Sequence, residues 1–379
     1  MDFHHSEERQ MLADTLTRFV AQDYPLADRL AAGASETGYD PAKWATLAEL
    51  GVIGALFGEE AGGFGGAGFD ISVVFDAIGR GLMLEPFLQT LLVGSVLANA
   101  GSAEQQTRLE GLLSGETIAA FAHFEAGDGC KTAYIATTAK RDGEGWVLNG
   151  QKAVVRAATA SAFLIVSARA RGQAGDADGV SLFLVPNDAN GVMLRDYETI
   201  DGGRAADVTL SNVKLGAEAL IGIDGRAALV IDDALGKGLL ALCAEAVGIM
   251  DVIKDMTILY IQTRKQFGVP IGKFQALQHR MAEMLLEVEQ ARSAVINAAF
   301  HEGTPGLERE RALSACKVTI GRVGTLVAEE SIQIHGGMGM TWEYPLGHFA
   351  KRLTIIGHEM GDEDFHLVRY MDLAKGAGA

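Results

Sequence analysis

The chain has 379 residues, enough for two or three domains around a large core. Hydrophobic residues make up 48% and charged residues 21%, an ordinary globular balance that argues against extensive disorder. The formal net charge of −17 argues against a basic surface for nucleic acid or anionic membranes, so an anionic ligand must be met by a few placed cations or helix N-termini.

The segment Met1-Asp2-Phe3-His4-His5-Ser6-Glu7-Glu8-Arg9 is polar and charged and lacks the apolar core of a signal peptide. From Glu7 to Val20 the pattern predicts a helix, with Leu12, Leu16, Phe19 and Val20 on one face and Met11 at its edge. A second helix is expected from about Pro41 to Leu50, stopped by Gly51. Between Gly58 and Gly66 lies a glycine-rich loop. It lacks the Lys-Ser/Thr of a phosphate-binding P-loop and has no clear strand before it, so a nucleotide reading is weak. Further helices are expected over Ile71 to Gly79, Pro86 to Ala100 and Ala103 to Leu113.

After about residue 117 the pattern changes to short runs with β-branched or aromatic residues. These are Ile118 to Phe124, Tyr134 to Arg141, Gly145 to Leu148, Gln151 to Val155, Phe163 to Ala168, Val180 to Val185, Val192 to Asp196 and Ala206 to Val213. Turn signals such as Asp142-Gly143, Asn149-Gly150 and Asn190-Gly191 separate them. Strands at this spacing with no helices between them predict a small antiparallel sandwich or barrel. From about Asp224 the helical period returns over 228–263, 274–301, 306–335 and 362–374, and the middle two read as antiparallel bundle members. The expected fold class is therefore α+β multidomain: an N-terminal helical domain over 1–116, a middle antiparallel β-domain over 117–216 and a C-terminal four-helix bundle over 217–379.

No apolar run approaches the roughly 18 residues of a membrane span. Cys130, Cys243 and Cys316 are odd in number, scattered and without CxxC spacing. They predict buried thiols in a reducing cytoplasm rather than disulfides or a metal site. His4-His5 is a weak metal signal, and no metal is expected.

Two stretches carry the chemistry. Arg264-Lys265-Gln266-Phe267-Gly268-Val269-Pro270-Ile271-Gly272-Lys273-Phe274-Gln275 joins two long helical patterns and packs two glycines and a proline into a tight connection. Arg264 is expected in the last turn of its helix, where a guanidinium is favoured and can fork onto a carboxylate or phosphate. Read alone, the stretch is a capped helical hairpin with an exposed arginine. The second stretch is Gln333-Ile334-His335-Gly336-Gly337-Met338-Gly339-Met340-Thr341, followed by Glu343-Tyr344-Pro345.

With Asn149-Gly150-Gln151-Lys152, and with Glu59-Glu60 before Gly62-Gly63-Phe64-Gly65, these motifs make the chain resemble the acyl-CoA dehydrogenase family over essentially its whole length. The resemblance implies an FAD-dependent oxidoreductase that desaturates the Cα–Cβ bond of an acyl-CoA thioester in fatty acid or steroid catabolism. It implies a tetramer, homomeric or heteromeric with a related subunit, that shares FAD across interfaces and passes electrons to an electron-transferring flavoprotein. Neither nucleic acid nor membrane is an expected partner.

Carried over residue by residue, Arg264 falls on the family's phosphate-binding arginine and Phe267 on the aromatic beside it. Ile271 and Gly272 fall on the adenosine contact, and Gln333, Ile334, His335, Gly336 and Gly337 on the second motif. This is the half of the FAD site that a subunit donates to its neighbour. The flavin half departs from the family. The usual C-terminal base position holds Met360, and its alternative position earlier in the chain holds Leu239. Gly361 is kept, but Asp362 replaces a hydroxyl residue, and Phe124 and Cys130 replace a Thr and a Ser. Val154-Val155-Arg156 stands where relatives have Trp-x-Thr.

Acids near the base position are Glu359, Asp362, Glu363 and Asp364, of which Asp362 and Glu363 are the candidates for a displaced base. The competing reading is a solvated loop with Asp362 as a helix N-cap. Glu245, in an otherwise apolar run, needs a partner or a raised pKa and reads first as an interhelical or intersubunit contact. The leading expectation is a base-less subunit of a heteromeric enzyme, resembling the small subunit of pimeloyl-CoA and steroid side-chain acyl-CoA dehydrogenases. Alternatives are a self-sufficient homotetramer with a displaced base, a flavin-dependent monooxygenase of the same fold, and a non-catalytic scaffolding subunit.

Overall fold

The computed structural model describes residues 6–127, 131–176, 178–304 and 306–376. His4, His5 and Cys130 lie outside the described residues. The chain opens with helices α1 (Glu7–Asp23), α2 (Leu26–Gly33), α3 (Pro41–Glu49), α4 (Gly68–Gly81), α5 (Phe87–Ala100), α6 (Ala103–Gln106) and α7 (Arg108–Leu113). The starts of α1, α3 and α6 follow from side-chain oxygens placed to cap orphan N–H groups. Ser6 accepts from Arg9 N before α1, and Asp40 accepts from Ala42 N and Lys43 N before α3. Ser102 and Gln105 form a capping box that starts α6, and a break at Thr107 divides the single expected helix into α6 and α7. The short α2 was not expected.

The glycine-rich loop owes its composition to close backbone packing. A Cβ on Gly63 would lie 2.2 Å from Phe57 O and 2.4 Å from Gly54 O, so only glycine fits.

The middle segment forms β1 (Ala119–Ala122), β2 (Thr138–Asp142), β3 (Gly145–Arg156), β4 (Phe163–Arg169), β5 (Val180–Pro186), β6 (Val192–Glu198), β7 (Arg204–Leu215) and β8 (Leu220–Ile221). The sheet order is β6-β7-β3-β2-β4-β5-β8, with β1 also on β4. Most pairs are antiparallel as expected, but β1 and β2 run parallel to β4, so the sheet is mixed. A short turn dictates antiparallel pairing for β2 with β3; no such turn links β1 to β4, leaving their direction free. The expected turn at Asn149-Gly150 is instead part of a continuous β3. Register shifts between Leu148 and Gly150 and between Lys152 and Val155 absorb the irregularity there. Trp146, Leu148, Leu164, Val166, Phe183 and Val208 are among the buried side chains of the sheet's core.

The C-terminal segment comprises α8 (Ala228–Thr263), the hairpin β9 (Lys265–Gln266) and β10 (Val269–Pro270), α9 (Gln275–Glu302), α10 (Leu307–His335), α11 (Leu346–His358) and α12 (Glu363–Gly376). The four expected helices are present, and α11 is an addition. By packing the chain divides into two compact units, which regroup the three expected sequence segments. One unit takes residues 1–29, 67–83 and 239–379; the other takes 30–66 and 84–238. In the first unit α4 and α8 touch backbone to backbone. A Cβ on Gly79 would lie 2.0 Å from Glu245 O, and one on Gly248 would lie 2.1 Å from Asp76 O. No helix among the described residues is long and apolar enough to cross a membrane.

Candidate functional site

The two motif stretches, about seventy residues apart in sequence, meet through a residue that neither contains. Tyr260, one turn before Arg264 on α8, donates its hydroxyl to His335 O at 3.2 Å. Its ring stacks on the His335 imidazole at 4.2 Å between centroids. His335 Nδ1 donates to Ser331 O at 2.8 Å, which leaves Nε2 to accept from the Tyr344 hydroxyl at 3.2 Å. Burial lowers the His335 pKa despite the Ser331 bond, keeping the ring neutral. His335 and Ile334 are both buried, and the His335 ring fastens the turn. Gln333, Gly336 and Gly337 of the same motif are exposed.

Helix α8 ends at Thr263, so Arg264 stands just past the helix instead of in its last turn. Arg264 is exposed and has no ion-pair partner among the described residues. Phe267 (φ 52°) and Gly268 (φ 83°) both take left-handed backbone, the sign pattern of a type I′ hairpin turn. The turn thrusts Phe267 into solvent at 92% exposure, with its ring edge against Phe274 at 6.1 Å. Ile271 N donates to Arg264 O at 2.8 Å, and Gln278 Nε2 to Gly272 O at 2.9 Å, which ties the hairpin to α9. A Cβ on Gly336 or Gly337 would meet nothing within 4 Å, so this backbone is open to approach. An unpaired guanidinium, a bare aromatic ring and open glycine backbone suit a phosphorylated, ring-bearing ligand.

The loop between α11 and α12 is tied down on every side. Met360 sits on left-handed backbone (φ 55°), and its carbonyl accepts from His366 Nε2 at 2.9 Å. The fully buried Lys317 donates to Gly357 O at 3.0 Å and to Gly361 O. Arg352 forks onto Glu245 at 2.6 and 2.8 Å and reaches Glu359 at 3.1 Å. Glu245 is thus an interhelical ion-pair member, linking α8 to α11. Asp362 Oδ1 accepts from Phe365 N at 2.9 Å, the geometry of an N-cap, while Glu363 and Asp364 lie exposed in the first turn of α12. Leu239 is buried.

In the other unit, Lys152 is fully buried and its Nζ donates to His123 O, Glu125 Oε1 and Ser167 Oγ at 2.9, 2.7 and 3.0 Å. Glu125 also accepts from Ala136 N and Thr137 N. Burial works to raise the Glu125 pKa, but the Lys152 charge and these bonds outweigh it and hold the carboxyl below its usual range. Burial first, then the Lys152 charge, pushes His123 down to about 3. This satisfied network pins the segment before Ala126 onto β3 and β4. Beside it, Phe124 is partly buried, and Val154 is 57% exposed on left-handed backbone (φ 54°), strained for a β-branched residue. Val154 N donates to Asp207 Oδ1 at 3.2 Å, and Arg156 pairs with the buried Asp201 at 2.8 Å.

Sequence reasoning missed Tyr260, Lys317, Arg352 and His366. Arg352 and His366 lie on α11 and α12, and the only warning was Glu245, an acid in an apolar run that needed a cation. No group of three or more His, Cys, Asp and Glu among the described residues could hold a metal ion.

Models of the acyl-CoA dehydrogenase N-terminal, middle and C-terminal domains match residues 6–116, 120–213 and 228–368. The chain is 30% identical over 353 residues to acyl-CoA dehydrogenase FadE12 of Mycobacterium tuberculosis, covering 90% of this chain and 89% of that one. It is 29% identical over 349 residues to the mitochondrial short-chain specific acyl-CoA dehydrogenase of Bos taurus, covering 89% and 83%. Among solved structures, a variant of the Tcur3481-Tcur3483 steroid ACAD superposes with a TM-score of 0.89 at 30% identity, covering 98% of this chain and 99% of that one. With its motifs joined in one place and all three domain models matched in order, the chain belongs to the acyl-CoA dehydrogenase family, FAD-dependent enzymes that dehydrogenate acyl-CoAs.

Proposed function

We propose that this chain is the base-less subunit of a heteromeric acyl-CoA dehydrogenase, contributing the phosphate- and adenosine-facing half of an FAD site to a related partner subunit. Arg264, Phe267, Ile271, Gly272, Gln333, Gly336 and Gly337 would hold that half. They fit it: the guanidinium is free for a pyrophosphate, Phe267 is bare, and the glycine backbone is open. When bound, FAD supplies the acceptor for the substrate's β-hydride.

The observation that carries the reading is the loop around Met360. Removing an α-proton from a thioester needs a carboxylate or similar base at hydrogen-bond reach. Met360 offers a thioether, which takes no proton. Its neighbours are committed: Glu359 to Arg352 and Asp362 to the N-terminus of α12. Glu363 and Asp364 lie exposed in the first turn of α12. Lys317 and His366 hold the loop's backbone, which weighs against swinging an acid inward. The similar steroid ACAD, named for two proteins, supports a two-subunit arrangement. In this proposal the assembly is a cytoplasmic tetramer that hands electrons to an electron-transferring flavoprotein.

The test is to purify the chain alone and co-expressed with a related family member, then measure bound flavin and acyl-CoA desaturation. Little turnover alone, and turnover restored with the partner, is expected. One tightly bound flavin per subunit with full turnover by this chain alone would overturn the proposal. Substituting Asp362→Asn and Glu363→Gln together in the assembly should leave turnover intact; its loss would point to a displaced base.

A further inference from the structure

In the first unit, α1, α4, α8 and α9 border a half-open cavity of about 300 Å³. Most of its wall is apolar, including Ala13, Phe69, Val73, Val247, Val295 and Ala299. Ser72, Asp76, Arg80 and Arg292 are its polar lining residues. Their arrangement is set by Asp251, which is buried on α8. Asp251 accepts from Arg80 Nη2, from Arg292 Nη2 at 2.7 and 2.8 Å, and from Lys254 Nζ at 3.0 Å. Arg80 Nε is taken by Asp76 Oδ2 at 2.6 Å.

One carboxylate thus holds two guanidinium groups side by side. Each retains an Nη1 with no hydrogen-bond partner among the described residues, on side chains about one-third exposed (33% and 32%). Arg80, Arg292 and Lys254 surround Asp251 and Asp76. Glu289 and Asp255 reach Arg292 and Lys254 only at 3.5 Å, are 63% and 66% exposed, and are screened by solvent. Two spare N–H₂ groups beside a mostly apolar cavity are the complement of a carboxylate with a hydrocarbon tail.

We propose that this cavity binds a small monocarboxylic acid with an apolar tail. Its carboxylate accepts from Nη1 of Arg80 and Nη1 of Arg292, and its tail lies along Phe69, Val73, Val247 and Val295. A CoA thioester does not match, since its acyl end carries no anion and its nucleotide is too bulky for the volume. A dicarboxylate does not match either, because a second charge would be desolvated against the apolar walls. The inference is independent of the base-less reading: it needs no flavin, no partner chain and no proton transfer.

Calorimetric titration of octanoate into the purified full chain tests it, with octanol and octylamine as uncharged and cationic probes. Saturable octanoate binding is expected, with octanol at least about tenfold weaker and octylamine not bound. Ala13→Phe fills the cavity with no polar loss, and Arg292→Lys keeps the charge on Asp251 while removing Nη1. Each variant, its fold checked by circular dichroism, should weaken octanoate at least about tenfold. Two variants guard against one failing to fold. No saturable octanoate binding, equal binding of octanol, or unchanged binding in a folded variant would each overturn the proposal.

Discussion

Glu245 and Arg352 show how much one residue can demand of its surroundings. The Glu245 side chain is 4% exposed and that of Arg352 11%, and the two meet in a bidentate fork. A buried charge stripped of its partner is costly, whereas removing both partners is not. Arg352→Ala is therefore expected to cost about 3–5 kcal/mol in denaturant unfolding. Arg352→Leu combined with Glu245→Leu should recover most of it, and a double variant no better than the single would refute the pairing. His366 makes a second demand. Burial, aided by Lys317 and Arg369 and opposed by the Met360 carbonyl and Asp362, pushes it down to about 4, and its Nδ1 is buried without a hydrogen bond. The folded value lies below the unfolded one of 6.5, so the stabilisation is complete above that pH and is lost as pH falls toward 4. The loss from this residue is on the order of 3 kcal/mol once the ring is fully protonated. Unfolding curves measured between about pH 7 and pH 4 should fall steeply for the native chain and less for His366→Asn. Parallel curves would show that another group carries the dependence.

Helices meet here through what their sequences omit as much as through what they contain. Gly79 and Gly248 let α4 and α8 approach until each backbone lies where the other's Cβ would be. Gly248→Ala is expected to force the helices apart and cost about 1–3 kcal/mol, read as a lower unfolding midpoint. At the start of α12, Asp362→Ala should cost about 1 kcal/mol through the lost cap and leave catalysis by the assembly unchanged. The cap at Asp362 was legible because capping is a local interaction between near neighbours. The α11 stripe of Leu346, Phe349, Ala350, Leu353 and Ile356 also had helical spacing. Gly347 and Gly357 near its ends hid it, since glycine reads as a helix breaker until packing compensates for it. The parallel pairing of β1 with β4 was not legible, because strand direction depends on partners distant in the chain.

For the whole molecule, a net charge of −17 means that phosphate binding must rest on local cations, of which Arg264 is exposed and unpaired. In the co-expressed assembly Arg264→Ala is expected to weaken FAD retention by about tenfold or more. The flavin-to-protein absorbance ratio after desalting measures it, and the native ratio should fall as salt rises, because an exposed charge is screened. An unchanged ratio would remove Arg264 from the FAD site. The sequence by itself determined the family and the order of helical and β segments. Those properties live in short motifs and local periodicity, which survive without three-dimensional context. Only the tertiary structure decided that Tyr260 joins the two motifs, that His335 and Ile334 face inward, and that Glu245, Glu359 and Asp362 are already committed. Such facts depend on which side chains from distant segments arrive at one place, and a carboxylate's availability is settled by its neighbours in space rather than in sequence.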